Sequence, residues 1–249
     1  MNSISRAGGP SPLDVLIESK VFSSADGSRS EILRDLSFRL EPASFTCLIG
    51  PSGCGKTTTL RIVLGLDSDF AGKVSLPGGD TRLSAVFQEP RLLPWRTVDE
   101  NVRLALSGEQ PADLDALYGV LGLRGREARY PSELSLGLER RVALARAFAV
   151  MPDILLLDEP FVSLDEHTAD RLRELLVELA AIHRVTVLMV THNVREAVRI
   201  ADRLLLINGR PAKVVGDVPI MQERGSRSPS EQQAILEQLA STYPDSVRI

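Results

Sequence analysis

Eight residues, Gly50-Pro51-Ser52-Gly53-Cys54-Gly55-Lys56-Thr57, restrict what this chain can fold into more than any other stretch. They fit the pattern G-x-x-x-x-G-K-[ST], which cradles phosphate when a strand delivers the loop and a helix leaves it. Both flanks are present. Residues 45–49, Phe-Thr-Cys-Leu-Ile, are short, apolar and rich in β-formers, and residues 58–64 can continue as a helix. The glycines let the backbone turn so that its N–H groups approach phosphate oxygens, and the helix N-terminus adds partial positive charge at the same point. Lys56 is then placed to reach the β- and γ-phosphates, and the Thr57 hydroxyl to ligate Mg²⁺. Such a loop commits the chain to an α/β fold with ligands at one edge of a parallel sheet.

The rest of the chain has room for that fold and excludes several others. With 249 residues, 43% hydrophobic and 25% charged, it suits one large soluble domain or two small ones. A formal net charge of −4 argues against a dedicated nucleic-acid binder. The two cysteines, Cys47 and Cys54, make no disulfide framework, and reduced thiols are expected. No apolar run approaches a membrane span, and residues 1–12 lack the apolar stretch of a signal peptide. The chain is expected to be cytosolic, serving a membrane only by docking onto another protein.

Taken in order, residues 1–12 are rich in Ser, Gly and Pro and are expected to be flexible. Residues 13–19 and 32–40 read as strands, with a turn at 25–28, and suggest an antiparallel sheet ahead of the loop. Phe22 falls between them; it either stacks on a nucleotide base or joins the core. Residues 73–76 and 84–87 read as strands, the second ending in Gln88-Glu89-Pro90. Residues 97–106 form a helix with Thr97 and Glu100 as a capping box, and 112–121 and 138–150 two more. This helical run, about 91–150, interrupts the α/β pattern as an inserted subdomain. Its arginines, Arg140, Arg141 and Arg146, face either phosphate, acidic partners or solvent.

Residues 154–157, Ile-Leu-Leu-Leu, suit a central strand covered on both faces, and they deliver Asp158 and Glu159 to its C-terminal end. Beside a phosphate loop, Asp158 would hold Mg²⁺ and Glu159 would polarise an attacking water. A helix over 167–183 and a buried strand over 185–190 follow, and His192 emerges at the same edge. Residues 194–200 read as a helix and 203–207 as a strand. Asn208-Gly209 marks a hairpin to 212–215, residues 222–230 are polar and flexible, and 231–239 form a short terminal helix.

The order of these motifs resembles the ATP-binding subunit of ABC transporters over nearly the whole chain, to about Val215. Residues 50–57 match the Walker A, Phe87-Gln88-Glu89 the Q-loop, 154–159 the Walker B, Ser163-Leu164-Asp165 the D-loop and Val190-Thr191-His192 the H-loop. Phe22 matches the aromatic that stacks on adenine. The resemblance implies the ABC variant of the P-loop α/β fold, an ATPase domain over 13–220 and a C-terminal tail over 221–249. It implies ATP and Mg²⁺ as ligands. Phe22, residues Gly50 to Thr58 including Thr58 itself, Gln88, Ser135 and Gly137 would bind nucleotide. Thr57, Gln88 and Asp158 would hold the metal, and Lys56, Glu159 and His192 would carry the chemistry.

One segment departs from the family. Leu134-Ser135-Leu136-Gly137-Leu138 stands where the family has L-S-G-G-Q. That segment caps ATP bound to a second copy, so the resemblance implies a homodimer. Leu136 replaces a glycine, and a helical or extended backbone is expected there, with the side chain turned from nucleotide. The stretch Phe87-Gln88-Glu89-Pro90-Arg91-Leu92-Leu93-Pro94-Trp95 is similar to importers of nitrate, sulfonates and taurine. This implies permease partners, indirectly a solute-binding protein, and a peripheral place on the cytoplasmic face of the membrane. Two other readings stay open: an ABC-type ATPase unconnected with transport, and a weakly hydrolysing regulatory cassette.

Overall fold

The structure is a computed structural model that describes residues 12–23, 27–106 and 113–247. The flexible segment expected over 1–12 therefore lies outside the described residues except for Pro12, as do Ala25 and Asp26 of the first turn and Pro111 and Ala112.

Alternating apolar residues build one arm of the sheet. β1 (Leu13–Ser23) and β2 (Arg29–Leu40) pair antiparallel, from Leu13 opposite Leu40 to Ser23 opposite Arg29. Their inward residues Leu13, Val15, Ile17, Leu33, Leu36, Phe38 and Leu40 are buried. β4 (Ala71–Ser75) pairs antiparallel with the other side of β1. The apolar runs make the second arm. β3 (Phe45–Ile49), β5 (Leu83–Val86), β6 (Ile154–Asp158), β7 (Thr186–Thr191) and β8 (Arg203–Gly209) lie parallel. β9 (Ala212–Pro219) returns antiparallel to β8 and meets β2 where Leu33 faces Ala212. The result is one nine-stranded sheet in the order β4-β1-β2-β9-β8-β3-β7-β6-β5, so the expected antiparallel arm is fused to the parallel core.

Two cores form because strand residues point alternately to opposite faces. Leu48, Leu156, Leu188 and Leu205 pack with α1 (Lys56–Val63) and with the inward face of β1 and β2. Cys47, Leu155, Leu157, Val187 and Leu206 pack on the other face. There they meet α4 (Leu136–Ala149), α5 (Glu166–Ile182), α6 (Val194–Ile200) and α7 (Pro229–Thr242), with α2 (Val98–Arg103) and α3 (Leu114–Val120) packed against the same core.

Several local readings change. Phe22 lies within β1, opposite Ser30, and not between strands, because the pairing continues past a bulge at Lys20 and Val21. α4 starts at Leu136, two residues earlier than its apolar pattern suggests, because Ser135 accepts a hydrogen bond from Leu138 N–H as the N-cap. At the β8–β9 hairpin Gly209 pairs with Ala212, which leaves Arg210 and Pro211 at the tip. Asn208 instead donates to Asp245 O at 3.0 Å. The polar stretch before α7 is tied down: Arg227, 6% exposed, donates to Val198 O at 2.7 Å, and Arg224 pairs with Asp202 at 2.9 Å. Ser228 and Glu231 form a capping box, so α7 begins at Pro229 and runs to Thr242. Polarity there includes one buried arginine, Arg227, whose acceptors are main-chain carbonyls, and composition does not distinguish such a residue from loose chain.

Candidate active site

Three adjacent parallel strands bring the site together. β3, β7 and β6 are neighbours, with Ile49 opposite Thr191 and Val190 opposite Asp158. Their C-terminal ends therefore lie side by side, and each is followed by a loop that carries chemistry: residues 50–55, His192, and Glu159.

The 50–55 loop wraps around its own lysine. Lys56, 5% exposed, donates to Gly50 O at 2.8 Å and Pro51 O at 2.9 Å. A cation so placed is held by the loop's own carbonyls. Gly55, at φ +97°, is the residue before α1, and a Cβ there would lie 2.6 Å from Leu33 Cδ2. Gly50 has the opposite constraint. Its backbone is ordinary, but a Cβ would meet Ile207 O at 2.5 Å and Cys54 Sγ at 2.8 Å. Cys54 is buried under the loop, and that burial raises its thiol pKa. The cavity above the loop, about 280 Å³, is lined by Phe22, Ile32, Ser52, Gly53, Gly55, Lys56, Thr57, Thr58 and Glu159. Phe22 is half exposed, with the Lys20 ammonium 4.7 Å from its ring centre. Ile32 was missed in the sequence, where it reads only as a strand residue. Its neighbour Leu33 points the other way into the core, so alternation itself turns Ile32 toward the cavity.

The carboxylates occupy different settings. Asp158, 6% exposed, accepts a hydrogen bond from Thr57 Oγ1 at 3.2 Å. Burial raises its pKa, against the lowering by that bond. Glu159 adopts φ +44°, with its N–H bonded to Val190 O at 2.9 Å. A left-handed backbone at a non-glycine residue is costly and concentrates at functional sites. Here it turns the side chain out of the strand line to the cavity wall. Glu159 Oε2 lies 3.0 Å from His192 Nδ1. His192 is itself placed by the start of α6: Asn193 N–H donates to Thr191 Oγ1 at 3.0 Å, and Asn193 caps the helix.

Thr57 and Asp158 supply one hydroxyl and one carboxylate oxygen, a hard-oxygen set suited to Mg²⁺ that takes its remaining ligands from phosphate and water. Among the described residues, no group of three or more His, Cys, Asp or Glu could hold a metal by itself. Asp158, His192, Gly50, Pro51 and Cys54 are not among the residues that line the cavity. Gln88 is exposed just after β5 and does not line the cavity, and neither do Ser135 and Gly137. Ser135 and Leu136 are exposed at the start of α4, while Gly137 is buried, where a Cβ would lie 2.5 Å from Thr168 Cγ2. Leu136 is helical and 37% exposed.

The arginines of α4 donate to main-chain carbonyls, with Arg140 buried and Arg141 and Arg146 partly exposed. Arg140, 4% exposed, donates to Phe87 O and to Val162 O, both at 3.2 Å. Arg146 donates to Pro90 O at 2.7 Å and Arg91 O at 2.9 Å, and Arg141 to Leu121 O at 3.3 Å. Burial lowers the pKa of all three. Charge alone could not reveal this, because their acceptors are main-chain carbonyls distant in sequence.

Comparison with known proteins agrees with this geometry. The family profile described as ABC transporter matches residues 33–162. The aliphatic sulfonates import ATP-binding protein SsuB of Bacillus licheniformis is 38% identical over 217 residues, 84% of each chain. SsuB of Bacillus subtilis is 36% identical over 227 residues, 88% of this chain and 89% of that one. SsuB 2 of Pseudomonas syringae pv. tomato is 40% identical over 209 residues, 84% of this chain and 87% of that one. The dimeric structure of MJ0796, a bacterial ABC transporter cassette, superposes with a TM-score of 0.73 at 26% identity, covering 85% of this chain and all of that chain. The same cassette in a post-hydrolysis state with ADP and Pi gives 0.72. A glycine-rich loop after β3, a carboxylate pair two strands away at the end of β6 and this match over most of its length place the chain in the ABC transporter family, among its ATP-hydrolysing cassettes.

Proposed function

We propose that this chain hydrolyses Mg²⁺-bound ATP to drive import of a small solute of the nitrate, sulfonate or taurine kind. The observation that carries the hydrolytic reading is the Glu159–His192 contact of 3.0 Å at the wall of the phosphate cradle. Glu159 accepts a proton from the attacking water, or orients it, and His192 fixes the carboxylate that does so. Lys56 and the loop N–H groups offset charge gathering on the γ-phosphate oxygens. Thr57 and Asp158 would hold Mg²⁺, which when bound would offset negative charge on the phosphates. Phe22 offers its half-exposed ring at the cavity rim for stacking on adenine.

Ser135 and Gly137 lie away from the cradle of their own chain, which fits a role on the nucleotide of a second copy in a homodimer. The helical region, about 91–150, meets the permease; within it Trp95, 70% exposed, stands on the loop before α2. Among the described residues no helix is long and apolar enough to cross a membrane, in keeping with a peripheral subunit on its cytoplasmic face. The solute class follows the names of the relatives, and a solute-binding protein would deliver it to the permease.

Glu159→Gln tests the mechanism. Turnover by the purified chain should fall by about 100-fold or more while a fluorescent ATP analogue still binds. Hydrolysis near the wild-type rate would remove Glu159 from the mechanism. Failure of the intact gene to restore growth of a transport-deficient strain on aliphatic sulfonate as sulfur source would reject the solute class.

A further inference from the structure

Arg140 joins two loops that no other side chain joins among the hydrogen bonds of the described residues. Its Nη1 donates to Phe87 O and its Nη2 to Val162 O, each at 3.2 Å. Phe87 immediately precedes Gln88. Val162 closes the turn that starts at Glu159, its N–H bonded to Glu159 O at 3.3 Å, and it precedes Ser163 at φ +66°. Both acceptors lie past the last paired residue of their strands, Val86 in β5 and Asp158 in β6. Their carbonyls need donors from elsewhere. A guanidinium presents its N–H groups in a rigid planar fork that can serve two acceptors at once; an ammonium has no such fork.

Arg146 is the internal contrast. It lies six residues further along α4, and both its bonds go to one loop, at Pro90 and Arg91. Arg91, at φ +48°, in turn stacks its guanidinium 4.3 Å from the Phe87 ring centre. The two arginines therefore hold the loop around Gln88 at both ends, but only Arg140 also holds the turn that carries Glu159.

We propose that Arg140 is a positioning residue of the ATPase cycle: it ties the loop of Gln88 and the turn of Glu159 to one turn of the helix that Ser135 opens, so that the three shift as a unit. The proposal rests on the hydrolytic reading of Glu159 given above.

Amide hydrogen exchange and steady-state kinetics on the full chain test it, with Arg140→Lys, Arg140→Met and Arg146→Lys. Arg140→Lys should speed exchange in both 87–91 and 159–165, by about tenfold, the effect of losing a charged hydrogen bond. Arg146→Lys should do so in 87–91 alone. Turnover in Arg140→Lys should drop about tenfold with KM within about twofold of wild type, since a positioning role acts on the chemical step. If Arg140→Lys is too unstable to handle, Arg140→Met, of similar length and uncharged, gives the same comparison. Wild-type exchange at 159–165 in both Arg140 variants overturns the proposal. So does an equal response of both segments to Arg146→Lys, which would mean general loosening of α4. The exchange arm needs no turnover: if Glu159→Gln hydrolyses normally, the hydrolytic reading fails while the linkage is still decided.

Discussion

The cradle and the signature segment both use glycine, for different physical reasons. In the cradle Gly55 holds a left-handed backbone, and Gly50 lies where a Cβ would strike a main-chain oxygen at 2.5 Å. Neither constraint can be relaxed by rotating a side chain. In the signature segment, Leu136 occupies the first turn of α4 in a helical backbone, with its side chain partly exposed. The glycine expected there is not required by this chain's own fold. One residue on, Gly137 is required for space, since α4 crosses α5 so closely that a Cβ would press on Thr168. Glycines in these two segments thus answer backbone need at residue 55 and packing need at residues 50 and 137, while residue 136 is under neither constraint within this chain.

Three substitutions would break or sharpen that contrast. Gly50→Ala should have the largest effect, because backbone must move: a loss of about 1–3 kcal/mol in stability, read from the shift in Tm, together with loss of fluorescent nucleotide binding. Unchanged binding would show that the loop has slack that its geometry denies. Gly137→Ala should cost about 1 kcal/mol and be largely restored by Thr168→Ser, which removes the methyl group in the way. Failure of the double variant to recover Tm would move the constraint elsewhere on α5. Leu136→Gly should change least: a cost of about 1 kcal/mol or less from helix propensity, and ATPase activity within about threefold. A rise well beyond that would mean that the Leu136 side chain crowds nucleotide on a second copy, the weakly hydrolysing alternative.

Much of the site could be read directly from the sequence because its parts are local patterns with fixed geometry. The run 50–57 carries its own loop shape, and the apolar strands before Asp158 and His192 announce both their burial and the edge at which they end. Thr97 with Glu100 gave the start of α2 to the residue. Where the reading failed, the deciding partner was remote. Phe22 continues in a strand because β2 pairs with it. Residues 222–227 are held because Arg227 finds Val198 O and Arg224 finds Asp202. Ile32 faces the cavity through its register in β2.

Sequence by itself determined the glycine-rich loop between β3 and α1, the order of its companion motifs and the identity of the residues at the strand ends, since each is set by chemistry within a few residues. Only the tertiary structure decided that Glu159 meets His192, that Gly137 is held by helix crossing, and that Arg140 spans two loops. Each of these rests on contacts between segments distant along the chain, formed when a buried donor or acceptor has to find a partner in the folded core.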